Sequence, residues 1–281
     1  MSRAALVTIA HGRHDHLTQL MRGSRRSTRP PDVLVVVAMG DPQVRDVVRR
    51  EAGALRTHVV DLPADLPDLP LAAARNAGVA AARELGATIL VLLDVDCIPG
   101  PSLLQRYTDV VAQAGGPVVL AGEVDYLPPR GDGEYDHARL AQLGRPHPSR
   151  PALRSDELRT EPDLRMFWSL SFALSAQTWD SVGGFDERYE GYGGEDTDFG
   201  QRLGRASVPL VRLGGARAYH QHHPVSKPPV EHAAAIVRNA NLFHQIWGWF
   251  PMTGWLDDLA GLGLVRQVGD GHAARWECVD G

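Results

Sequence analysis

The sequence predicts an α/β protein. Three observations carry this: short β-branched runs, helical stretches between them, and acidic or histidine residues where the runs stop. AALVTIA (4–10) and DVLVVVAM (32–39) are apolar runs bounded by turn residues, and THVVDL (57–62) is a third, more polar one. ATILVLLDVD (87–96) is apolar on both faces, as a strand must be when helices cover the sheet above and below. Helical stretches fall at 14–26, 42–53 and 71–85, and the last, alanine-rich, stops on Gly86. Strands alternating with helices make a parallel sheet, whose ligands bind at the carboxyl ends of the strands. His11, Gly40 to Pro42, and Asp94 to Asp96 fall at such ends.

A further helix is expected over 101–114 and a strand over 117–127. The stretch 128–165 is rich in Pro, Arg and Asp and too long for an ordinary connection, so it reads as a flexible loop or lid, with a disordered insertion of no role as the alternative. MFWSLSFALSAQTWDSVGGF returns to order as a strand and a short helix, and 230–247 forms an amphipathic helix. WGWFPMTGWLDDLAGLGLV (247–265) packs three tryptophans into a compact tail. They read as core aromatics, with carbohydrate stacking the minority view.

Composition narrows the class. A chain of 281 residues with 43% hydrophobic and 22% charged residues is an ordinary globule. A formal net charge of −5 and the lack of a basic stripe argue against a nucleic-acid binder. The basic run MRGSRRSTRP (21–30) reads as a solvated helix end, or more sharply as a phosphate or anionic-lipid contact. Cys97 and Cys278 offer no disulfide framework, which fits a reducing cytoplasm. The first apolar run is a strand, not a signal peptide, and no run approaches the ~20 residues of a membrane span. No P-loop occurs, and GLGLVRQVGDG lacks a preceding strand. The arginine- and alanine-rich composition suggests a high-GC bacterium, an actinobacterium by preference.

Two acidic clusters and a histidine run carry the chemistry. Asp94-Val95-Asp96 ends the buried strand, where alternation would point both carboxylates to one side with Val95 opposite. Two such carboxylates need a cation or a raised pKa, and a hard divalent ion wants oxygen ligands. The bland alternative is a helix cap by Asp96. Glu195, Asp196 and Asp198 sit between glycine turns and a helical DTDFGQRL, either as catalytic groups or as a helix cap with acidic first turn. AYHQHH (218–223) adds imidazoles. Carboxylate clusters with a histidine suit a divalent cation, an anionic leaving group and an activated hydroxyl, the chemistry of sugar transfer from a nucleotide sugar.

These residues resemble a known family. TIAHGRHDHL (8–17), AAARNAGVAAA (72–82), LLDVDCIP, GGFDERYEGYGGEDTDFGQRL and AYHQHH match, in order, the conserved patches of GT-A-fold glycosyltransferases of the broad family-2 type. The second half is similar to the segment shared by β-1,4-galactosyltransferases, polypeptide N-acetylgalactosaminyltransferases and chondroitin polymerases. The resemblance covers most of residues 5–223 and stops before the last ~50. It implies a Rossmann-like nucleotide-sugar-binding half (1–127), the loop (128–165), an acceptor and metal half (166–225), and a helical C-terminal extension (226–281).

The resemblance also implies roles. Asp96 and His220 would hold Mn²⁺ or Mg²⁺, manganese by preference because imidazole joins carboxylate, with Asp94 touching the ion or the ribose. Arg13 would meet the diphosphate, while Thr8, His11 and Val95 line the nucleotide pocket. Arg75 and Asn76 would sit near base or ribose. His11 stands where relatives often carry arginine, which leaves the base open. Asp196 would be the general base, with Glu195 binding the acceptor or holding Asp196. Trp168 and Tyr192 would contact the acceptor and sugar. His222 and His223 read as solvent- or acceptor-facing. The implied partners are a nucleotide-sugar donor, of GDP-mannose, UDP-galactose or UDP-N-acetylglucosamine type, and a saccharide or glycolipid acceptor. A sugar nucleotidyltransferase would share the fold and acidic site but needs a glycine-rich N-terminal loop, which TIAHGRHDH is not. A catalytically inactive binding module is the third reading.

Overall fold

The computed structural model describes residues 2–64, 66–131 and 133–279, with His272 described by its backbone alone. Asp132 of the 128–165 segment, and Asp280 and Gly281 of the tail, lie outside the described residues.

The first half alternates as the sequence predicts: β1 (Ala4–Ala10), α1 (His14–Arg25), β2 (Val33–Met39), α2 (Gln43–Glu51), β3 (Thr57–Leu62), α3 (Leu71–Glu84) and β4 (Ile89–Leu93). Strands β3, β2, β1 and β4 lie side by side and parallel. Then follow β5 (Cys97–Pro99), α4 (Leu103–Gln113), β6 (Val119–Tyr126), α5 (Leu140–Leu143), β7 (Arg145–Pro146), β8 (Leu158–Thr160), β9 (Ser171–Ser175) and α6 (Ala176–Val182). The chain closes with α7 (Glu195–Arg205), β10 (Leu210–His220), α8 (Ala233–Trp247), α9 (Thr253–Gly261), β11 (Val265–Val268) and β12 (Arg275–Cys278). The main sheet runs β3-β2-β1-β4-β9-β6-β10-β5, with β9 antiparallel to both neighbours.

Alternation along β1 divides the core. Ala4, Leu6 and Ala10 pack on one face with Leu17 and Leu20 of α1, while Ala5 and Val7 face Ala72 and Val79 of α3. Helix α3 lies close because residue 78 is glycine: a Cβ there would stand 2.5 Å from Val7 Cγ1.

Two segments depart from expectation. The 128–165 stretch does not stand free. Tyr135, Leu140 and Leu153 are buried, and β7 and β8 pair with β6 and β10. Its few apolar residues are spaced widely among Pro and Arg, so no periodicity announces this packing. The extension is not purely helical either: β11 and β12 form an antiparallel hairpin, with Trp276 buried against Val237 and Ile236 of α8. The basic run 21–30 ends α1 with Arg25 and Arg26 exposed, as a solvated helix end would be, while Arg22 and Arg25 also pair with the buried Glu51. Cys97 is buried and free, and Cys278 is exposed and free. Among the described residues, no helix is long and apolar enough to cross a membrane.

Candidate active site

The carboxyl ends of β1, β2 and β4 open into a cavity of about 310 Å³. Ile9, Met39, Leu69 and Leu71 make one side apolar, while Arg13, Asp94 and Asp96 charge the other. His11 and Val95 also line it. Arg13 makes no ion pair among the described residues. Thr8 does not line the cavity. It is 2% exposed, and alternation turns it to the α1 face while Ile9 takes the cavity side. His11 Nδ1 lies 2.7 Å from the Met39 carbonyl oxygen. A carbonyl can only accept, so Nδ1 carries the hydrogen, and in the neutral ring Nε2 is an acceptor.

The strand ends at Leu93, so Asp94-Val95-Asp96 is a turn and not continued alternation. Its two carboxylates take different partners. Asp94 Oδ1 lies 3.3 Å from Arg75 Nη2. Asp96 Oδ2 lies 3.5 Å from His220 Nε2 and 3.3 Å from His223 Nε2. The pairing follows from the register. β10 runs antiparallel to β5 with His220 opposite Cys97, and the Gln221 N–H donates to the Asp96 carbonyl at 2.7 Å. His223 therefore departs from its expected solvent- or acceptor-facing position: it sits beside Asp96 with its side chain 16% exposed. The i, i+3 spacing of His220 and His223 was the signal available in the sequence.

The electrostatics separate the two carboxylates. Burial pushes the Asp94 carboxyl up; Arg75 opposes, and the charges of Asp96 and Asp196 add to the rise. Burial acts against the Asp96 charge too, but the His223 hydrogen bond and the charges of His220, His223 and Arg13 outweigh it and hold that carboxyl low. Burial also pushes the His220 imidazole down, toward the neutral form a metal ligand requires. The ligating atoms of Asp96, His220 and His223 lie within 4.8 Å of one another. An ionised carboxylate with two imidazoles is a donor set for a divalent metal ion.

Arg75 lines the first cavity, as expected of a residue near base or ribose, whereas Asn76 does not. Arg75 is 6% exposed and bridges Asp94 to Glu195, with Nη1 3.4 Å from Glu195 Oε1. Burial alone would lower its pKa, but Asp94, Asp196 and Glu195 together raise it, so the guanidinium stays charged. It borders the cavity while tying the DVD turn to α7. Asn76, one residue further round α3, faces away. It donates to the Phe185 carbonyl at 2.9 Å and accepts from the Phe185 N–H at 3.0 Å. It thus holds the GGFD turn.

A second cavity, of about 740 Å³, opens in front of α7 and shares Leu71, Arg75, Asp94 and Tyr192 with the first. Glu195, Asp196 and Trp168 line it. Helix α7 begins at Glu195 after Gly194, so neither acid is the N-cap; both sit in the first turn, where the helix dipole favours negative charge. Asp196 Oδ2 accepts the Ser169 N–H at 2.9 Å, while Oδ1 is enclosed and has no hydrogen-bond partner. Burial pushes the Glu195 carboxyl well up; the Asp196 charge adds to this and Arg75 opposes it. Trp168 is half-buried, with the Arg150 guanidinium 3.7 Å from its ring centroid and His147 edge-on at 5.1 Å. Tyr192 is 38% exposed. The tail completes this cavity with Trp249, Met252 and Trp255. Trp247, Trp249 and Trp255 are half-buried: Trp255 packs against the buried cluster of α8 and α9, Trp247 and Trp249 lie against the buried Phe243, and Trp249 and Trp255 also line the site cavity. Only their density in WGWFPMTGW hinted at it.

Residues 150–224, from the end of the packed segment through the GGED turn to the paired histidines, match a family model described as the N-terminal domain of galactosyltransferase. Validoxylamine A glucosyltransferase of Streptomyces hygroscopicus subsp. limoneus is 32% identical over 214 residues, which are 67% of this chain and 44% of that protein. Chondroitin synthase of Escherichia coli is 27% identical over 186 residues, 58% of this chain and 26% of the other.

The chain belongs to the GT-A-fold glycosyltransferases.

Solved structures agree on the fold of this glycosyltransferase-family chain. S. aureus TarS residues 1–349 superimpose with a TM-score of 0.58 at 14% identity, covering 85% of this chain and 64% of that one. The mannosyltransferase PcManGT from Pyrobaculum calidifontis, solved in complex with GDP-Man and Mn²⁺, gives 0.55 at 16% identity, covering 88% and 64%. The chain spans less than half the length of the glucosyltransferases it matches.

Proposed function

We propose that this chain transfers a hexose from a nucleoside diphosphate sugar to a hydroxyl of a saccharide or glycolipid acceptor, with Mn²⁺ or Mg²⁺ held by Asp96, His220 and His223. One observation carries the reading: the Asp196 carboxylate, whose Oδ1 has no hydrogen-bond partner, borders a cavity that adjoins, through Arg75 and Asp94, the one lined by Asp96 and Arg13. A general base must reach the acceptor proton while donor and acceptor lie in adjoining spaces. The ion, when bound, supplies positive charge for the departing diphosphate. Arg13 adds a guanidinium on the same side. The Asp196 carboxylate takes the proton as the acceptor oxygen attacks the anomeric carbon and the nucleoside diphosphate leaves. The Ser169 N–H fixes one of its oxygens. His11 Nε2, an acceptor at the apolar end, favours a base with a ring N–H, such as uracil or guanine. A mannosyltransferase of this fold was solved with GDP-Man and Mn²⁺, and TarS with UDP-GlcNAc.

The experiment is nucleoside diphosphate release by purified protein from a panel of nucleotide sugars, with and without metal. Metal-dependent release of the diphosphate supports transfer. Pyrophosphate consumption would point to a nucleotidyltransferase instead, and no nucleotide binding would leave no transferase reading.

A further inference from the structure

The wall facing Asp196 is formed by residues outside the matched family model, in the connection between α8 and α9 and the first turn of α9. We propose that residues 249–255 are the acceptor-recognition wall and that they admit a cyclic polyol without negative charge, either uncharged or amine-bearing. The proposal rests on the transfer reading above.

Two contacts fasten the wall beside the GGED turn, and a third anchors the preceding Trp247 to α7. Met252 holds a left-handed backbone (φ 54°), and its Sδ would lie 2.6 Å from a Cβ built on Gly193, itself at φ 90°. Trp255 stacks on Tyr192 with ring centroids 5.4 Å apart and 25° between planes. Trp247 Nε1–H donates to Asp198 Oδ1 of α7 at 2.8 Å. The acceptor cavity therefore cannot take this shape without the tail.

Its chemistry is aromatic and acidic. Trp168, Tyr192, Trp249 and Trp255 line it with aromatic carbon, which suits the C–H groups of a pyranose or cyclitol. Asp94, Glu195 and Asp196 supply carboxylates. The two cations that line the cavity are already engaged: Arg75 by Asp94 and Glu195, and Arg165 by Asp163 through two bonds of 2.8 Å. A carboxylate or phosphate on the acceptor would meet acid without a free partner, whereas an ammonium would meet carboxylates.

The test uses the full chain with Mg²⁺ and a saturating nucleoside diphosphate. Ligand-observed NMR titrations then compare four matched probes: methyl α-glucoside, glucosamine, glucuronate and glucose 6-phosphate. The first two should bind at least tenfold tighter than the last two. Trp249→Ala and Trp255→Ala should each weaken that binding about tenfold, with Trp→Phe restoring part of it, while nucleoside diphosphate affinity stays within about twofold. Equal or tighter binding of glucuronate or glucose 6-phosphate, binding of none of the four, or wild-type binding by both alanine variants would overturn the wall. If the wild type binds no nucleoside diphosphate, the transfer reading fails first and takes this one with it. Intact nucleotide binding with charge-indifferent probes overturns the wall alone.

Discussion

The two cavities share Leu71, Arg75, Asp94 and Tyr192, yet they are assembled in opposite ways. The first is made mostly of strand ends and the turns just after them, so the sheet itself positions Ile9, His11, Met39 and Asp94. The second brings together Ser169, α7 and the 249–255 segment, which lie far apart in the chain and meet across helix starts and turns. The first is a property of the sheet, and changing one residue there should remove a function while sparing the fold. The second is a property of contacts between segments, where function and stability are harder to separate. Each prediction below presses on that difference.

The largest effect is expected at the metal-ligating cluster. Asp96→Ala, His220→Ala or His223→Ala should each lower turnover by on the order of 10³ or more, since charge opposite the leaving group is lost. Each should also weaken nucleoside diphosphate binding in the presence of Mn²⁺, with melting within a few degrees of wild type. Undiminished turnover in EDTA would remove the metal from the mechanism.

Asp196→Asn comes next. The amide oxygen can still accept the Ser169 N–H, so the fold contact survives while proton acceptance is lost. Turnover should fall by ~10²–10⁴, with nucleotide binding unchanged. Product analysis sharpens the result: inverted anomeric configuration fits a general base, whereas retention would make Asp196 an acceptor-positioning residue.

Arg75→Met tests the joint between the cavities. It strips the cation from two buried carboxylates and should cost about 3–5 kcal/mol in denaturant unfolding. A loss below about 1 kcal/mol would show that the cavities are not tied through this side chain.

A pH-dependent effect follows from Glu195, whose folded carboxyl is raised above its ordinary value. A raised folded value means that its stabilising contribution is fully present below the unfolded value, near 4.3, and is lost as pH rises through the folded one. Glu195→Gln cannot ionise. Its stability relative to wild type, in metal-free buffer, should therefore increase from pH 5 to pH 8 by on the order of 1 kcal/mol. A difference that is constant with pH would contradict the shift.

Trp247→Phe carries an effect of similar, small size. It removes the indole N–H that reaches Asp198, which keeps its ion pair with Arg202 at 2.7 Å. The loss should be about 1–2 kcal/mol, seen in thermal melts, and nucleotide binding should not change.

What the sequence by itself determined is largely the first cavity and the sheet beneath it. Period-2 runs with helical stretches between them dictate a parallel sheet, and parallel sheets place turn residues at one edge, so His11, Asp94 and Asp96 could be named from position alone, while Arg13 came from the family resemblance. Local rules also placed Glu195 and Asp196 at a helix start, because glycine turns precede a helical run. Only the tertiary structure decided which atoms meet. Thr8 and Ile9 are neighbours in sequence, but strand parity sends one under the sheet and the other into the cavity. Arg75 and Asn76 are likewise adjacent, and the roughly 100° step of the helix separates a bridge between carboxylates from a clamp on the GGFD turn. His223 joined Asp96 because β10 and β5 run in one particular register. The tail tryptophans had no periodicity to expose their role, since a side chain that packs on a distant turn is specified by the partner surface and not by its own neighbours in the chain.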